Sequence, residues 1–142
     1  MCIRDREEAM TQPPLMVVLP YDKPPLTANK RLFWAEEAKL RKKIRGDVRL
    51  LVRDSRLGLK PLAEGQKLKV QLVYTPATKR RRDTDNLWPT LKPICDGIVD
   101  AGIVADDTPD YMIKPEPIIE KAMKRFRHRL RLELTIVEGD TE

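Results

Sequence analysis

Hydrophobic and polar positions along this chain fall into blocks of changing period, and each change marks an element. Leu15–Leu19 (LMVVL) is a continuous apolar run closed by Pro20, the pattern of a buried strand of about five residues. The YDKPPLTANK stretch that follows is a loop, because Pro24 and Pro25 exclude a helix. From about Leu32 to Ser55 the period turns helical. Phe33, Leu40, Ile44, Val48 and Leu51 step by 7, 4, 4 and 3, one stripe at a period of about 3.6. Lys39, Arg41, Lys42, Lys43, Arg45, Arg49 and Arg53 lie outside that stripe. Past a turn-rich Gly58–Gly65 connection, Leu68, Val70, Leu72 and Tyr74 alternate with Lys67, Lys69 and Gln71, a half-buried strand ended by Thr75-Pro76. Leu87, Leu91, Ile94 and Ile98 form a second helical stripe, which Gly102 stops. Pro109, Pro115 and Pro117 make the next stretch a poor central strand. From Arg125 to Ile136, Phe126, His128, Leu130, Leu132, Leu134 and Ile136 share one face. Arg125, Arg127, Arg129, Arg131 and Glu133 take the other, which predicts a strand with a basic outer surface.

The order β–α–β–α–(β)–β predicts an α+β (α/β-like) fold: a single small domain with a mixed β-sheet and two main helices packed on it. That domain runs from 14 to 138. Residues 1–13 have neither period and read as a disordered or non-native segment, with Met1–Arg6 resembling translated read-through and Met10 a candidate start. Residues 139–142 read as a disordered tail.

Composition narrows the function classes. A chain of 142 residues with 41% hydrophobic positions supports one core. No run of 18 apolar residues occurs and the start lacks a signal pattern, so no membrane association and a cytoplasmic location are expected. Cys2 and Cys95 are the only cysteines, which excludes a disulfide scaffold and a multi-cysteine zinc site. The net charge of +6 suits simple solubility and a polyanionic partner equally well. The basic helix face likewise reads first as a solvated face and second as a phosphate-facing one.

The run Lys79-Arg80-Arg81-Arg82-Asp83-Thr84-Asp85-Asn86 is the most informative stretch. Asp83 and Asp85, two residues apart in an extended segment, present their carboxylates on one side. Hard cations such as Mg²⁺ take such oxygen ligands together with substrate phosphate and water. Asp106-Asp107 follows about 20 residues later, beyond a helix about 20–25 Å long, so the chain must fold back for these acids to converge. Asp85 or Asn86 alternatively serves as a helix N-cap. Four consecutive basic residues directly against two acids favour phosphate binding beside a metal site over mutual neutralisation.

These residues resemble the RusA-type Holliday junction resolvases, small homodimeric Mg²⁺-dependent endonucleases of bacteria and their phages. The resemblance spans about Val17 to Val137. It includes LPYDKPPLTANKR, the RRRDTDNL core, the Ala101-Gly102 to Asp106-Asp107 segment and the closing strand ending in LELTI. It implies a RusA-like fold in which Asp83, Asp85 and Asp107 are the catalytic acids that coordinate Mg²⁺, with Mn²⁺ as a substitute. The family's catalytic lysine falls four residues after the second acid, where this chain has Pro89. Aligning on Asp96 and Ala101-Gly102 inserts three residues and moves that role to Lys92. At about 100° per residue, both four- and seven-residue steps stay on Asp85's side of a helix, although Pro89 and Pro93 disturb an ideal one.

The implied activity is structure-selective hydrolysis of DNA phosphodiesters at a four-way junction in recombination and repair, in a bacterial or phage-infected cell. A homodimer matches the junction's two-fold symmetry, and no small-molecule cofactor is expected. Lys79, Arg80, Arg81, Arg82, Asn29, Lys30 and Arg31 are the expected DNA-binding residues. His128, on the apolar face, reads as a core histidine before a general base. Trp34 and Trp88 offer stacking or junction wedging, with core packing or a dimer seam the better expectation. The competing readings are a non-catalytic basic DNA-binding or architectural protein, and a metal-dependent nuclease acting on other branched DNA or on RNA.

Overall fold

A computed structural model describes residues 14–21, 23–26, 33–54, 56–76, 84–122 and 129–138, with the backbone alone at 85 and 86. Eight elements follow in chain order: β1 (Leu15–Val18), α1 (Trp34–Arg53), β2 (Gln66–Thr75), a 3₁₀ turn (Thr84–Leu87), α2 (Trp88–Asp100), β3 (Met112–Ile113), β4 (Ile118–Ile119) and β5 (Arg129–Glu138). The sheet is mixed, ordered β1-β5-β2-β3, and β4 also pairs with β2. The protein has the α+β fold its periodicity predicts.

β2 and β5 form the backbone of the sheet, an antiparallel ladder running from Gln66↔Glu138 to Thr75↔Arg129. β1 adds to the far side of β5, antiparallel, with Val17 opposite Leu132. β3 and β4 both lie parallel to β2, at Leu68↔Met112 and Val73↔Ile118. They are two fragments of one sheet edge, interrupted by the proline-bearing 114–117 stretch. Pro115 and Pro117 have no N–H to give a ladder, and the Gln71 side chain fills the gap by donating from Nε2 to the Glu116 carbonyl at 2.7 Å.

One face of the sheet carries the core. Val17, Leu68, Val70, Leu72, Tyr74, Leu130, Leu132 and Leu134 are buried there together with Ile44, Val48 and Val52 of α1 and Leu91, Ile94 and Ile98 of α2. Each fully buried aliphatic side chain of this kind contributes about 1.5–3 kcal/mol. α1 commits three buried residues in 20, whereas α2 commits seven in 13. α2 is therefore the more firmly held helix. Gly97 lets the two helices approach closely, since a Cβ there would stand 2.6 Å from the Arg45 carbonyl oxygen and 3.0 Å from Val48 Cβ. Beside that crossing, Arg45 grips Asp100 with two guanidinium nitrogens, the stronger fork geometry for such a pair.

The 20–26 connection is pinned to both helices. Tyr21 donates its hydroxyl to Asp47 on α1, and Lys43 reaches the same carboxylate at 2.8 Å while lying 5.0 Å over the Tyr21 ring. At the other end, buried Thr90 on α2 donates to the Leu26 carbonyl (2.6 Å) and accepts from the Leu26 N–H (3.2 Å).

Some expectations change. Phe33 begins the predicted stripe but precedes α1 and is 79% exposed, and Val52 takes a buried place that the stripe omits. Trp34 and Trp88 are 83% and 38% exposed, so neither is a core side chain; both stand near a helix start, where the ring can turn outward. The β5 surface is less basic than its sequence suggests. Arg131 is mostly covered and pairs with Glu120 at 2.7 Å, while Arg129 stays exposed. The return of β4 along β2 supplies that carboxylate, because Glu120 donates its N–H to the Tyr74 carbonyl. Phe126, His128, Arg125 and Arg127, and the terminal segments 1–13 and 139–142, lie outside the described residues.

Candidate active site

α2 and the chain that returns from it build the site. The helix begins at Trp88 with Pro89 in its first turn, where the missing N–H has no helical partner to lose. Its N-cap position is Leu87, with no side-chain cap. A 3₁₀ turn, Thr84–Leu87, stands immediately before the helix, and the side chains of the capping candidates Asp85 and Asn86 lie outside the described residues. Gly102, at φ 82°, donates to the Val99 carbonyl and ends the helix. Buried Ile103 and Val104 then draw the chain back along the core, fixed by the Leu62 N–H to the Ile103 carbonyl at 2.9 Å. Asp106 caps the next turn by accepting from the Asp107 N–H at 2.8 Å. The Tyr111 and Met112 N–H groups both donate to the Thr108 carbonyl.

This return places Asp107 beside Lys92 rather than at the helix end. Lys92 Nζ is 2.6 Å from Asp107 Oδ2 and 3.3 Å from Asp96 Oδ1. At 1.5 Å rise per residue, the chain has backtracked about 12 Å from Asp100 to reach Lys92. Lys114, just after β3, places its Nζ 3.7 Å from the same Asp107 oxygen. Both ammoniums thus meet Oδ2. The Asp107 side chain is 16% exposed and Lys92 63%, so a well-seated carboxylate faces a cation that is free to swing into solvent.

The electrostatics agree with the contacts. The hydrogen bond from Lys92, followed by the field of Lys114, holds the Asp107 carboxyl below the usual range against the opposing effect of burial. The Asp107 hydrogen bond in turn raises the Lys92 ammonium above its ordinary value, with Asp96 adding to it. Asp107 is ionised and Lys92 charged at neutral pH. Such a site offers a hard oxygen ligand and a movable cation, which suits a divalent metal ion next to a phosphate.

Thr84, the residue between Asp83 and Asp85, opens the 3₁₀ turn before α2. Its hydroxyl donates to the Glu116 carboxylate, two residues beyond Lys114. Asp83 lies outside the described residues, and of Asp85 only the backbone, in the 3₁₀ turn, is described. Lys79, Arg80, Arg81, Arg82, Asn29, Lys30 and Arg31 also lie outside them. Among the described residues no three His, Cys, Asp or Glu side chains gather closely enough to hold a metal. Of the expected catalytic set, the structure brings together Lys92 and Asp107.

Asp96 and Lys114 join this cluster, Asp96 having entered the sequence reading only as an alignment anchor and Lys114 not at all. Asp96 is legible as the helical i+4 neighbour of Lys92. Lys114 carries no comparable signal, since its approach depends on how β3 pairs with β2. Cys95 is no part of the chemistry: burial pushes its thiol up to about 12, which suppresses the reactive thiolate.

The chain is 31% identical over 122 residues to an uncharacterized protein of Xylella fastidiosa (strain Temecula1 / ATCC 700964), covering 84% of this chain and 74% of that protein. It belongs to the same family as that protein. No family model matches the chain. Among the described residues no helix is long and apolar enough to cross a membrane.

Proposed function

We propose that this protein is a Mg²⁺-dependent endodeoxyribonuclease of the RusA type that cleaves four-way DNA junctions as a homodimer. The observation that carries the reading is the 2.6 Å contact between Lys92 and Asp107. The sequence resemblance named these two as members of one site despite the displacement of the lysine by three residues, and they have no local reason to meet. The Thr84–Glu116 hydrogen bond adds support, since Thr84 is the chain neighbour of both Asp83 and Asp85 and Glu116 is two residues from Lys114.

In this reading Asp83, Asp85 and Asp107 hold the ion. Bound magnesium supplies a water of lowered pKa and neutralises charge on the phosphate. Lys92 leaves Asp107 for the scissile phosphate and stabilises the charge that develops there, an interaction that strengthens toward the transition state. The resemblance implies products with a 5′-phosphate and a 3′-hydroxyl. Lys79–Arg82 and Asn29–Arg31 hold the DNA backbone near the cut, and two sites in a dimer match the two-fold symmetry of the junction.

The test is cleavage of an end-labelled four-way junction with and without Mg²⁺, using Asp83→Asn as control and equal-length duplex and single strand as competitors at matched salt. Cleavage is expected only with Mg²⁺ and only at the junction. Asp83→Asn abolishes it while keeping or tightening binding, because a negative charge near phosphate is gone. Binding without cleavage by the wild type overturns the nuclease reading. Equal cleavage of the competitors overturns the junction reading.

A further inference from the structure

The outward side of α1 carries a row of cations that the fold does not use. Ile44, Val48 and Val52 turn one side of the helix into the core. Lys39, Lys42, Gly46, Arg49 and Arg53 step by 3, 4, 3 and 4, a spacing that keeps them in one line along a helix. At about 100° per residue, that line points about 140° away from the three buried residues, and all five positions are exposed. The other cations of α1 are matched: Arg41 by Glu37, Lys43 by Asp47 and Arg45 by Asp100. Lys39, Lys42, Arg49 and Arg53 form no ion pair with a described residue, and Arg49 reaches Asp100 through its field alone.

Two features of the row work against the helix. Like charges four residues apart, as Arg49 and Arg53 are, repel, and glycine is a poor helix former. Neither a positive φ nor a close neighbour calls for glycine at 46, since a Cβ there would meet nothing within 4 Å. Gly97, by contrast, is required by the crossing of the two helices. Both features make sense for a ligand that brings negative charge and approaches the helix backbone at the gap. The row is about 21 Å long at 1.5 Å per residue, the length of about six steps along a DNA strand at 3.4 Å each. A membrane surface fits less well. The apolar stripe of α1 is committed to the core, and beyond Trp34 the helix exposes Leu50 as its one large hydrophobic side chain.

We infer that this row is a second DNA surface, which holds the sugar–phosphate backbone of a duplex arm. Lys39 and Lys42 meet phosphates on one side of Gly46, Arg49 and Arg53 meet them on the other, and the strand lies closest to the helix at the glycine. The inference rests on the DNA reading above for its ligand and is independent of the metal chemistry.

The experiment measures binding of a labelled linear duplex and a labelled four-way junction to the full-length chain by fluorescence anisotropy, with metal chelated and salt varied. Replacing Lys39, Lys42, Arg49 and Arg53 together by Gln should lower the salt slope by about one for each cation removed. Affinity should fall at least about a hundredfold at about 0.1 M salt. A control variant replaces the exposed Lys60, Lys69, Lys121 and Arg129 by Gln and should keep most of the slope. Gly46→Leu should hold or raise the melting midpoint, because leucine is the better helix former. It should nevertheless weaken binding about tenfold, the scale of one lost phosphate contact. Equal losses in the two four-residue variants overturn the inference, because net charge alone would explain them. So does full binding by Gly46→Leu, which decides the matter even if the four-residue variant does not fold. Tighter binding of the wild type to anionic vesicles than to either DNA overturns it in favour of a membrane surface. A wild type that binds neither DNA defeats the DNA reading and the inference together, whereas junction binding that survives loss of the row defeats the inference alone.

Discussion

Lys92 Nζ meets Asp107 Oδ2 at 2.6 Å although fifteen residues and the end of a helix separate them. A cation bound at Asp107 must compete with this ammonium, and the same ammonium is the group assigned to the phosphate. One substitution therefore pulls the two functions apart. Lys92→Met should tighten Mn²⁺ binding, since removing a positive charge near a ligand is worth about 1 kcal/mol in a wet site, or roughly fivefold. It should also lower junction turnover at least about a hundredfold, the scale of one lost preorganised donor. Calorimetry and single-turnover cleavage measure the two effects, and junction affinity should change little. Unchanged turnover removes Lys92 from the mechanism.

Thr90 closes both hydrogen bonds of the Leu26 peptide groups from inside the core. Thr90→Val keeps the shape and leaves a buried N–H and C=O unpaired, at a cost of about 1–3 kcal/mol for each such group. Thr90→Ser should recover most of that loss. Chemical denaturation of the two variants against wild type reads the difference directly.

Gly97→Ala sets two effects against each other. Alanine gains up to about 1 kcal/mol in helix propensity, but its Cβ would stand 2.6 Å from the Arg45 carbonyl oxygen. A backbone atom cannot rotate away as a side chain can, so the helices must separate, and overpacking of this kind costs about 1–3 kcal/mol. The net expectation is a lower unfolding midpoint, with the helix-exposed Gly46→Ala as a control that meets nothing within 4 Å and should not be destabilised.

Glu120 accepts from Arg131 at 2.7 Å and from Thr75. The Arg131 hydrogen bond, then that of Thr75, lowers the Glu120 pKa despite some burial. A carboxyl depressed in the folded state adds stability that is complete above its unfolded pKa and is lost as pH falls through the folded one. Glu120→Gln should therefore be less stable than wild type near about pH 7, with the gap closing below about pH 4. Glu120 is 41% exposed, which limits the gap to about 1 kcal/mol or less. Thermal melting across that range checks both the sign and the window. A gap that widens in acid refutes the pairing.

The periodic elements were legible because burial imposes a period that the residues must obey. Leu68, Val70, Leu72 and Tyr74 had to alternate to put one face of β2 on the core, and Leu87, Leu91, Ile94 and Ile98 had to recur each helical turn; all eight are buried. Gly102 was legible as a stop because the backbone there takes a φ that favours glycine. The pairing of Lys92 with Asp107 was readable only in part. The resemblance named both residues, and helical geometry put Lys92 on the right side, but nothing in the spacing said how far the returning chain would backtrack. The burial of Ile103 and Val104 set that distance.

Tertiary structure alone decided the rest. Phe33 and Trp34 look like core residues in sequence and are exposed because the helix they introduce starts beyond the edge of the core. Arg131 looks like one of a row of outward arginines and is covered because β4 brings Glu120 against it. Lys114 reaches Asp107, and Glu116 reaches Thr84, from a stretch where two prolines break a sheet edge. Sequence determined the two helices and the strands β1, β2 and β5, since local period is written residue by residue. Which charges face one another depends on strand register and on where a chain turns back, and those follow from the packing of the whole.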